Sequence, residues 1–339
     1  MNLPPTLVGP TNHANDLPPQ VLSPIPVNIK WFALQWTSSG KVNPWLGPAL
    51  RGMSLYPLRR SSCLLGEDGF SEILRATDSR TDPRRCRNCG QMKSCLYGQA
   101  MEPDLKVLDR PFHQGNRDGM RGVTFGAALQ RELNVTVGEQ SHVRILSLGP
   151  WADAIMPSVL KTLERLGKRR GLGPDHVRFR LSEIENAGER YSLKAGDLPA
   201  ITDLNPPTIP RLKITLDSPL VAATKWGKRP PEFRQIAMAA IQTVSRAVRQ
   251  FSDDSFADID FGRLKSAAGE VESVACDWQS EKYSRSSSRQ EVRWNMHSWL
   301  GTGVYKNVPA AFLPWLQWGG ILGVGDSRNC GAGLWTIQL

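Results

Sequence analysis

Histidine is scarce in this chain. Its 339 residues include five, His13, His113, His142, His176 and His297, so acid–base chemistry near neutral pH has few carriers. Also missing is any apolar run near the ~20 residues that span a bilayer, which predicts no membrane insertion. The N-terminus lacks a basic stretch followed by an apolar one, the mark of a secretory leader. It carries Pro4, Pro5, Pro10, Pro18, Pro19, Pro24 and Pro26 instead, and reads as an extended surface segment over 1–26. Six cysteines are too few for a disulfide scaffold in a chain this long, so a reducing cytoplasm is the expected location. Acidic residues are in deficit, 32 against 42 lysines and arginines, and the net charge of +10 favours a polyanionic partner.

The length allows two domains of ordinary size. Val27–Trp36 reads as a strand, and Asn43-Pro44 as a helix start with Pro at the first helical position and Leu46, Leu50 and Met53 on one face. A polar, cysteine-bearing insertion covers 63–109. Strands are predicted near Arg121–Leu133 and Ser141–Leu148, then a helix over Trp151–Leu166 closed by Gly167, then a strand over Val177–Ile184. The order is β-α-β-β-α-β, that of a ferredoxin-like unit. After a Pro-rich linker at 196–210 the order repeats. Arg211–Leu216 is a strand and Pro231–Phe251 a helix. Arg289–Trp299 and Gly303–Val308 form a hairpin, Pro309–Trp318 a helix, and Leu334–Leu339 the last strand. The expectation is an α+β protein of two tandem ferredoxin-like (RRM-like) domains, 27–195 and 211–339, with the insertion in the first.

The densest motif lies near the C-terminus. Gly323, Gly325, Gly331 and Gly333 bracket Asp326, Ser327, Arg328 and Asn329. Glycines follow a strand and open a helix in nucleotide-binding loops; here they follow a predicted helix and precede a strand, which argues against a nucleotide cofactor. Two readings stay open. In one, the glycines, Ser327 and Arg328 lie against a polynucleotide backbone, with N–H groups turned toward phosphate. In the other, the segment is a plain Gly-rich turn.

The C-terminal G-x-G-x5-G-x-G loop resembles the signature of the CRISPR-associated repeat-RNA processing endoribonucleases of the RAMP superfamily. Leu50-Arg51-Gly52 on the first helix resembles their "LRG" element. Cys86-x2-Cys89-x5-Cys95 with Tyr97 and Glu102-Pro103 is similar to a "C-x2-C…C-x-Y…E-P" stretch of one large branch. Leu148-Gly149 with Gly171-Leu172-Gly173 is similar to another block of that branch, and Trp278 with Tyr283-Ser284-x-Ser286-x2-Ser288-Arg289-Gln290 resembles "W…RYS-x-RQ". The resemblance implies tandem ferredoxin-like domains and a CRISPR repeat hairpin as ligand. It also implies cleavage of precursor crRNA at the 3′ base of the stem, with the mature crRNA retained, and partner subunits of a CRISPR ribonucleoprotein. Cleavage would use the substrate's 2′-hydroxyl and no metal cofactor. Many relatives carry a histidine on or beside the first helix; Asn43–Arg60 has none. In this the chain resembles histidine-poor branches, including those attached to type IV systems.

The candidate catalytic residues are therefore Arg51, His297, Tyr283 and Arg289. On an extended strand Arg289, Arg293 and His297 share one face, suited to phosphate and proton transfer, or else form a passive, partly exposed face. Arg59, Arg60, Arg234, Arg246, Arg249, Arg285 and Arg293, together with the loop residues, are candidate RNA contacts. So are Trp45 and Trp226 for base stacking, while Trp36, Trp151, Trp294, Trp299 and Trp335 read as core. Lys161, Arg165, Lys168, Arg169 and Arg170, and also Lys225, Lys228 and Arg229, read as solvated faces or parts of a groove. Cys63, Cys86, Cys89 and Cys95 either hold a structural zinc ion or simply pack as reduced thiols. The alternatives to an enzyme are a non-cleaving crRNA-binding subunit and a zinc-dependent nucleic-acid protein unrelated to CRISPR.

Overall fold

A computed structural model describes residues 23–63, 86, 89–106, 108, 110, 118–127, 134–199, 207–221, 229–253, 259–287 and 292–339, excluding the side chains of residues 56, 284–287 and 292–295. The first half contains β1 (Ile25–Trp36), β2 (Gly40–Lys41), α1 (Leu46–Ser62), α2 (Leu96–Met101), β3 (Val123–Ala127) and β4 (Asn134–Val135). It continues with β5 (Gln140–Leu148), α3 (Pro150–Arg169), β6 (Phe179–Glu183) and β7 (Glu189–Leu193). The second half contains β8 (Thr208–Val221), α4 (Phe233–Phe251), α5 (Phe261–Gly269), β9 (Glu272–Ser287), β10 (Val292–Pro309), α6 (Phe312–Leu322) and β11 (Trp335–Gln338). This is an α+β protein with two main antiparallel sheets, ordered β3-β5-β1-β6 and β11-β8-β10-β9. In both, the first and third strands of a β-α-β-β-α-β run lie in the middle and the second and fourth lie outside them.

Sequence periodicity explains the main helices. In α3, Trp151, Ile155, Val159 and Leu163 are buried at helical spacing, and in α4 Phe233, Ile236, Ala240, Val244 and Phe251 do the same. The main apolar core runs through both halves. Phe251 of α4 reaches over Gly149, where a Cβ would lie 2.8 Å from its ring, and sits 6.0 Å from Trp151.

The structure corrects several expectations. Helix α1 begins at Leu46, with Trp45 as its N-cap. Pro44 therefore precedes the helix, and Pro48 occupies the first turn, where no intrahelical N–H is lost. Gly167 does not close α3; it lies inside the helix because the Phe179 ring packs where a Cβ would be, 2.6 Å away. The chain turns at Gly171, with φ +73°. The hairpin placed between Trp299 and Gly303 is one continuous strand, β10, whose partner is β9. Gly301 marks a register shift against β8, not a turn; a Cβ there would meet the Asp277 carbonyl oxygen at 1.9 Å. Strand β9 showed no alternation because residues 272–277 are exposed on both faces. Strand β7 and helix α5 were also not foreseen. The cysteine-bearing insertion is less irregular than expected, since α2 buries Tyr97, Ala100 and Met101. The strand pairing of Ile25 and Pro26, and of Thr208 and Ile209, reaches into segments read as extension and linker.

Candidate nucleic-acid interface

The glycine loop runs from α6 to β11, and its glycines face the protein's own backbone. A Cβ on Gly331 (φ +77°) would lie 2.3 Å from Gly126 Cα and 2.5 Å from the Phe125 oxygen, both on β3. A Cβ on Gly323 would meet the Ala332 oxygen at 2.7 Å, on Gly325 the Val221 oxygen at 2.6 Å, and on Gly333 the Val324 oxygen at 2.2 Å. Gly47 of α1 closes the same contact from the other side, 2.0 Å from the Cys330 oxygen by the same measure. Loop N–H groups are also spent inside: Val324 donates to Gly333, Asp326 to Val221, Cys330 to Ser327, Gly331 to Arg328 and Gly333 to Pro219. The turn reading therefore accounts for the four glycines through close approach.

What the loop carries to the first half is polar. Arg51 on α1 is buried, 8% exposed. The Asn329 amide, oriented so that its oxygen meets donors, accepts from Arg51 Nε at 2.6 Å, Arg51 Nη2 at 3.2 Å and Arg121 Nη1 at 2.8 Å. Arg328 points inward. Its Nη2 donates to the Arg121 carbonyl at 2.7 Å, and its Nη1 to the Leu322 carbonyl at 3.2 Å and Thr124 Oγ1 at 3.3 Å. Burial, followed by the charges of Arg246 and Arg121, holds the Arg328 guanidinium below its ordinary value. Arg328 thus ties the loop to β3 and presents no outward fork. Asn329 and Arg121 were missed in the sequence. The available signal was an asparagine in the middle of a glycine-rich loop.

The β9–β10 hairpin comes next. Tyr283 and Met296 are paired across the strands and pack with Trp45, Val221, Cys330 and Ala332, and Tyr283 meets Trp45 edge-on at 5.9 Å. Burial, with Glu281 adding, pushes the Tyr283 hydroxyl up to about 12. Ser327 Oγ approaches Met296 Sδ at 3.5 Å. His297 follows Met296 in an extended strand, so it lies on the opposite face. There its Nε2 is 3.0 Å from Ser280 Oγ and its ring 5.2 Å from that of Trp299, while Nδ1 is buried without a partner. The structure thus gathers Arg51, Asn329, Tyr283 and the loop on one side of the hairpin and places His297 on the other. Arg289 lies outside the described residues, and so do His13, His113, Trp226, Lys225 and Lys228; the side chains of Arg285, Arg293 and Trp294 do too.

Among the other candidate RNA contacts, Arg60, Arg234 and Arg246 are exposed positions, and Arg249 lies 5.9 Å above the Phe261 ring. Arg59 is turned inward, 5% exposed, among Cys86, Glu102, Tyr97 and Cys63. Trp45 is buried, not offered for stacking. Lys161, Lys168, Arg169 and Arg170 form an exposed face of α3 and its end.

Cys63, Cys86, Cys89 and Cys95 come near one another at the end of α1 and the start of α2. Burial foremost pushes both Cys86 and Cys95 up, with Glu102 next at Cys86 and neighbouring thiols adding at each. Cys95 Sγ caps α2 by accepting from the Gly98 N–H at 3.4 Å, and Glu102 Oε2 accepts from the Cys86 N–H at 3.1 Å. Among the described residues, no three His, Cys, Asp or Glu side chains are set to hold a metal ion. No described helix is long and apolar enough to cross a membrane.

The fold and junction define an α+β chain of two β-α-β-β-α-β halves joined through a glycine loop. Residues 25–198, just over half of the chain, match the family model AF_1859_N, described as an N-terminal domain. The chain belongs to that family. No curated protein matches the sequence. Similar solved structures include a Cas6 product complex, with 13% identity, 92% of this chain and 100% of that chain covered, and a TM-score of 0.47. Thermus thermophilus Cas6 has 12% identity, coverage of 94% and 100%, and a TM-score of 0.45. A chain of a partial Cas6-RT-Cas1–Cas2 complex has 11% identity, coverage of 93% and 46%, and a TM-score of 0.48.

Proposed function

We propose that this protein binds CRISPR repeat hairpin RNA through two tandem ferredoxin-like domains, 27–195 and 211–339, joined by the linker at 196–210. It cleaves precursor crRNA at the 3′ base of the stem and keeps the mature crRNA, as a subunit of a CRISPR ribonucleoprotein in the cytoplasm. The observation that carries this reading is a convergence. The sequence pieces that resemble the repeat-RNA processing endoribonucleases are scattered from residue 50 to the C-terminus, yet they gather around α1. Leu50-Arg51-Gly52 lies on α1 itself and Asn329 of the glycine loop holds Arg51. Tyr283 of the hairpin packs on Trp45 at the start of α1, and Cys86, Tyr97 and Glu102 surround Arg59 near its end.

In the proposed reaction the substrate's 2′-oxygen attacks the adjacent phosphorus and the bond from phosphorus to the 5′-oxygen breaks. The 2′-hydroxyl proton goes to a base, and the departing 5′-oxygen receives a proton. The products are a 2′,3′-cyclic phosphate and a free 5′-hydroxyl. Holding the 2′-oxygen in line and stabilising the charged phosphorane supply most of the acceleration. His297, within hydrogen-bonding reach of Ser280, is the proposed proton-transfer group, with Arg289 as its cationic neighbour in sequence. Arg51 and Tyr283 support the opposite side of the hairpin. Recognition rests on phosphates, shape and unpaired bases, because the A-form major groove is too narrow to read. A second reading, a crRNA-binding subunit that does not cut, is favoured by the placement of Tyr283 and His297 on opposite faces. Incubating end-labelled repeat RNA with the protein in EDTA separates the two: one discrete cut leaving a 5′-hydroxyl supports the enzyme, and a tight complex with intact RNA supports the binder.

A further inference from the structure

The segment leading into β3 is clamped between the halves. Gln250 of α4 accepts from the Met120 N–H at 2.5 Å and donates to the Met120 carbonyl at 2.9 Å. One turn earlier, Arg246 Nη2 donates to the Asp118 carbonyl at 3.1 Å. Gly119 fits so closely that a Cβ would lie 2.9 Å from both Gln250 Oε1 and Pro103. This clamp brings three guanidiniums together. Arg121 donates from Nε to the Met101 carbonyl at 3.0 Å and from Nη1 to Asn329. Arg328 donates to two carbonyls and a threonine hydroxyl. Every acceptor named for Arg121 and Arg328 is neutral.

Charge arithmetic makes this unusual. Buried cations are normally paired with carboxylates, because an unpaired one costs more than its hydrogen bonds return. Position 329, where one side-chain oxygen meets two arginines, would take aspartate with little change of shape. The chain has asparagine there. Among the described residues, Asp118 brings a carboxylate charge to bear on Arg246, where burial is the larger influence. Burial first, and then the like charges of Arg246 and Arg121, bear on Arg328. Arg246 is at an exposed position and Arg121 is half-buried, so the group opens to solvent at that end.

We propose that Arg121, Arg246 and Arg328 form a phosphate-binding site at the junction of the two halves, and that the neutral Asn329 amide leaves their charge available to that ligand. The ligand is a phosphate group, either in an RNA backbone or as free inorganic phosphate. Arg121 and Arg246 touch it directly, while Arg328 acts from beneath as a fixed positive pole. Because Arg246 comes from α4, Arg328 from the glycine loop and Arg121 from the approach to β3, bound phosphate also holds the halves together.

The test uses the full chain. Thermal unfolding is followed while inorganic phosphate replaces chloride at constant ionic strength. The wild type is expected to gain melting temperature as phosphate rises. Arg246→Ala is expected to lose most of that gain, and Asp118→Asn to reach it at lower phosphate. Asn329→Asp is the decisive variant: it should start with a higher melting temperature than the wild type in chloride and gain less from phosphate. A wild type that melts alike in phosphate and chloride overturns the site. So does an Asn329→Asp variant that keeps the full gain or starts lower. A second arm measures repeat-RNA affinity against salt; Arg246→Ala should flatten the slope by about one counterion. A phosphate gain with an unchanged RNA slope identifies free phosphate as the ligand and counts against the RNA source, so failure of the site and failure of the RNA reading are distinguishable.

Discussion

Gly331→Ala tests what the glycine loop is for. Gly331 has φ +77°, and a Cβ there would lie 2.3 Å from Gly126 Cα and 2.5 Å from the Phe125 oxygen. Both are backbone atoms of a buried strand, paired to β5 on its other side, so neither can swing away as a side-chain tip would. Two costs add. Holding alanine in the left-handed region costs roughly 1–2 kcal/mol, and forcing a methyl into a closed contact costs roughly 1–3 kcal/mol more. The expected loss is about 2–5 kcal/mol, a large part of the 5–15 kcal/mol typical of a folded domain. Gly52 is the control, since a Cβ on that exposed α1 glycine meets nothing within 4 Å. Alanine there should stabilise by about 0.5–1 kcal/mol through helix propensity. Urea unfolding of the three proteins measures all of this. If Gly331→Ala unfolds at the wild-type urea concentration while losing RNA affinity, the loop is a backbone cradle for RNA and the reasoning above is refuted.

Gly47→Ala, which meets the Cys330 oxygen at 2.0 Å from the α1 side, should be destabilising on its own. Combined with Gly331→Ala, its cost should be less than additive, because the first substitution already displaces the loop; additive urea midpoints would place the two glycines in separate contacts. His297→Ala should slow RNA cleavage by about 10²–10⁴-fold with unchanged binding, and an unaltered single-turnover rate removes His297 from the site. Asp217 is a test by pH. Burial raises its carboxyl above the usual range, against a Thr336 hydrogen bond and Arg144. The folded state therefore holds a proton that the unfolded state has released, so this group favours folding at low pH and loses that effect as pH rises through its folded value. Relative to Asp217→Asn, the wild type should lose stability as pH rises above the ordinary aspartate value of about 3.9; a difference constant with pH contradicts the assignment.

Much of the architecture was legible where one face of an element is buried. Strand β1 and helices α3 and α4 show the periods of 2.0 and 3.6 because each has a wet side and a dry side. Strand β9 has no dry side along residues 272–277 and left no period to read. Gly301 and Gly167 misled because a glycine that admits a neighbour looks like a glycine that ends an element. Gly301 admits the Asp277 carbonyl and Gly167 the Phe179 ring. The site was legible only as a set of residue types. Arg51 and the glycine loop were identified, but their link runs through Asn329 and Arg121, whose contacts join residues 278 positions apart in the case of Arg51 and Asn329. Spacing along the chain carries no record of that. Arg328 was read as one side of a backbone contact with RNA, and its hydrogen bond to the Arg121 carbonyl comes to light only in the packing.

The central claim is that the chain cleaves repeat RNA with the RNA's own hydroxyl. Its most direct test is a repeat hairpin with a single 2′-deoxy substitution at the nucleotide 5′ to the cut, compared with the all-ribose hairpin in EDTA. Equal affinity is expected for the two RNAs, with one cut in the ribose strand and none in the deoxy strand. Cleavage of the deoxy hairpin at the same position and rate would contradict the claim.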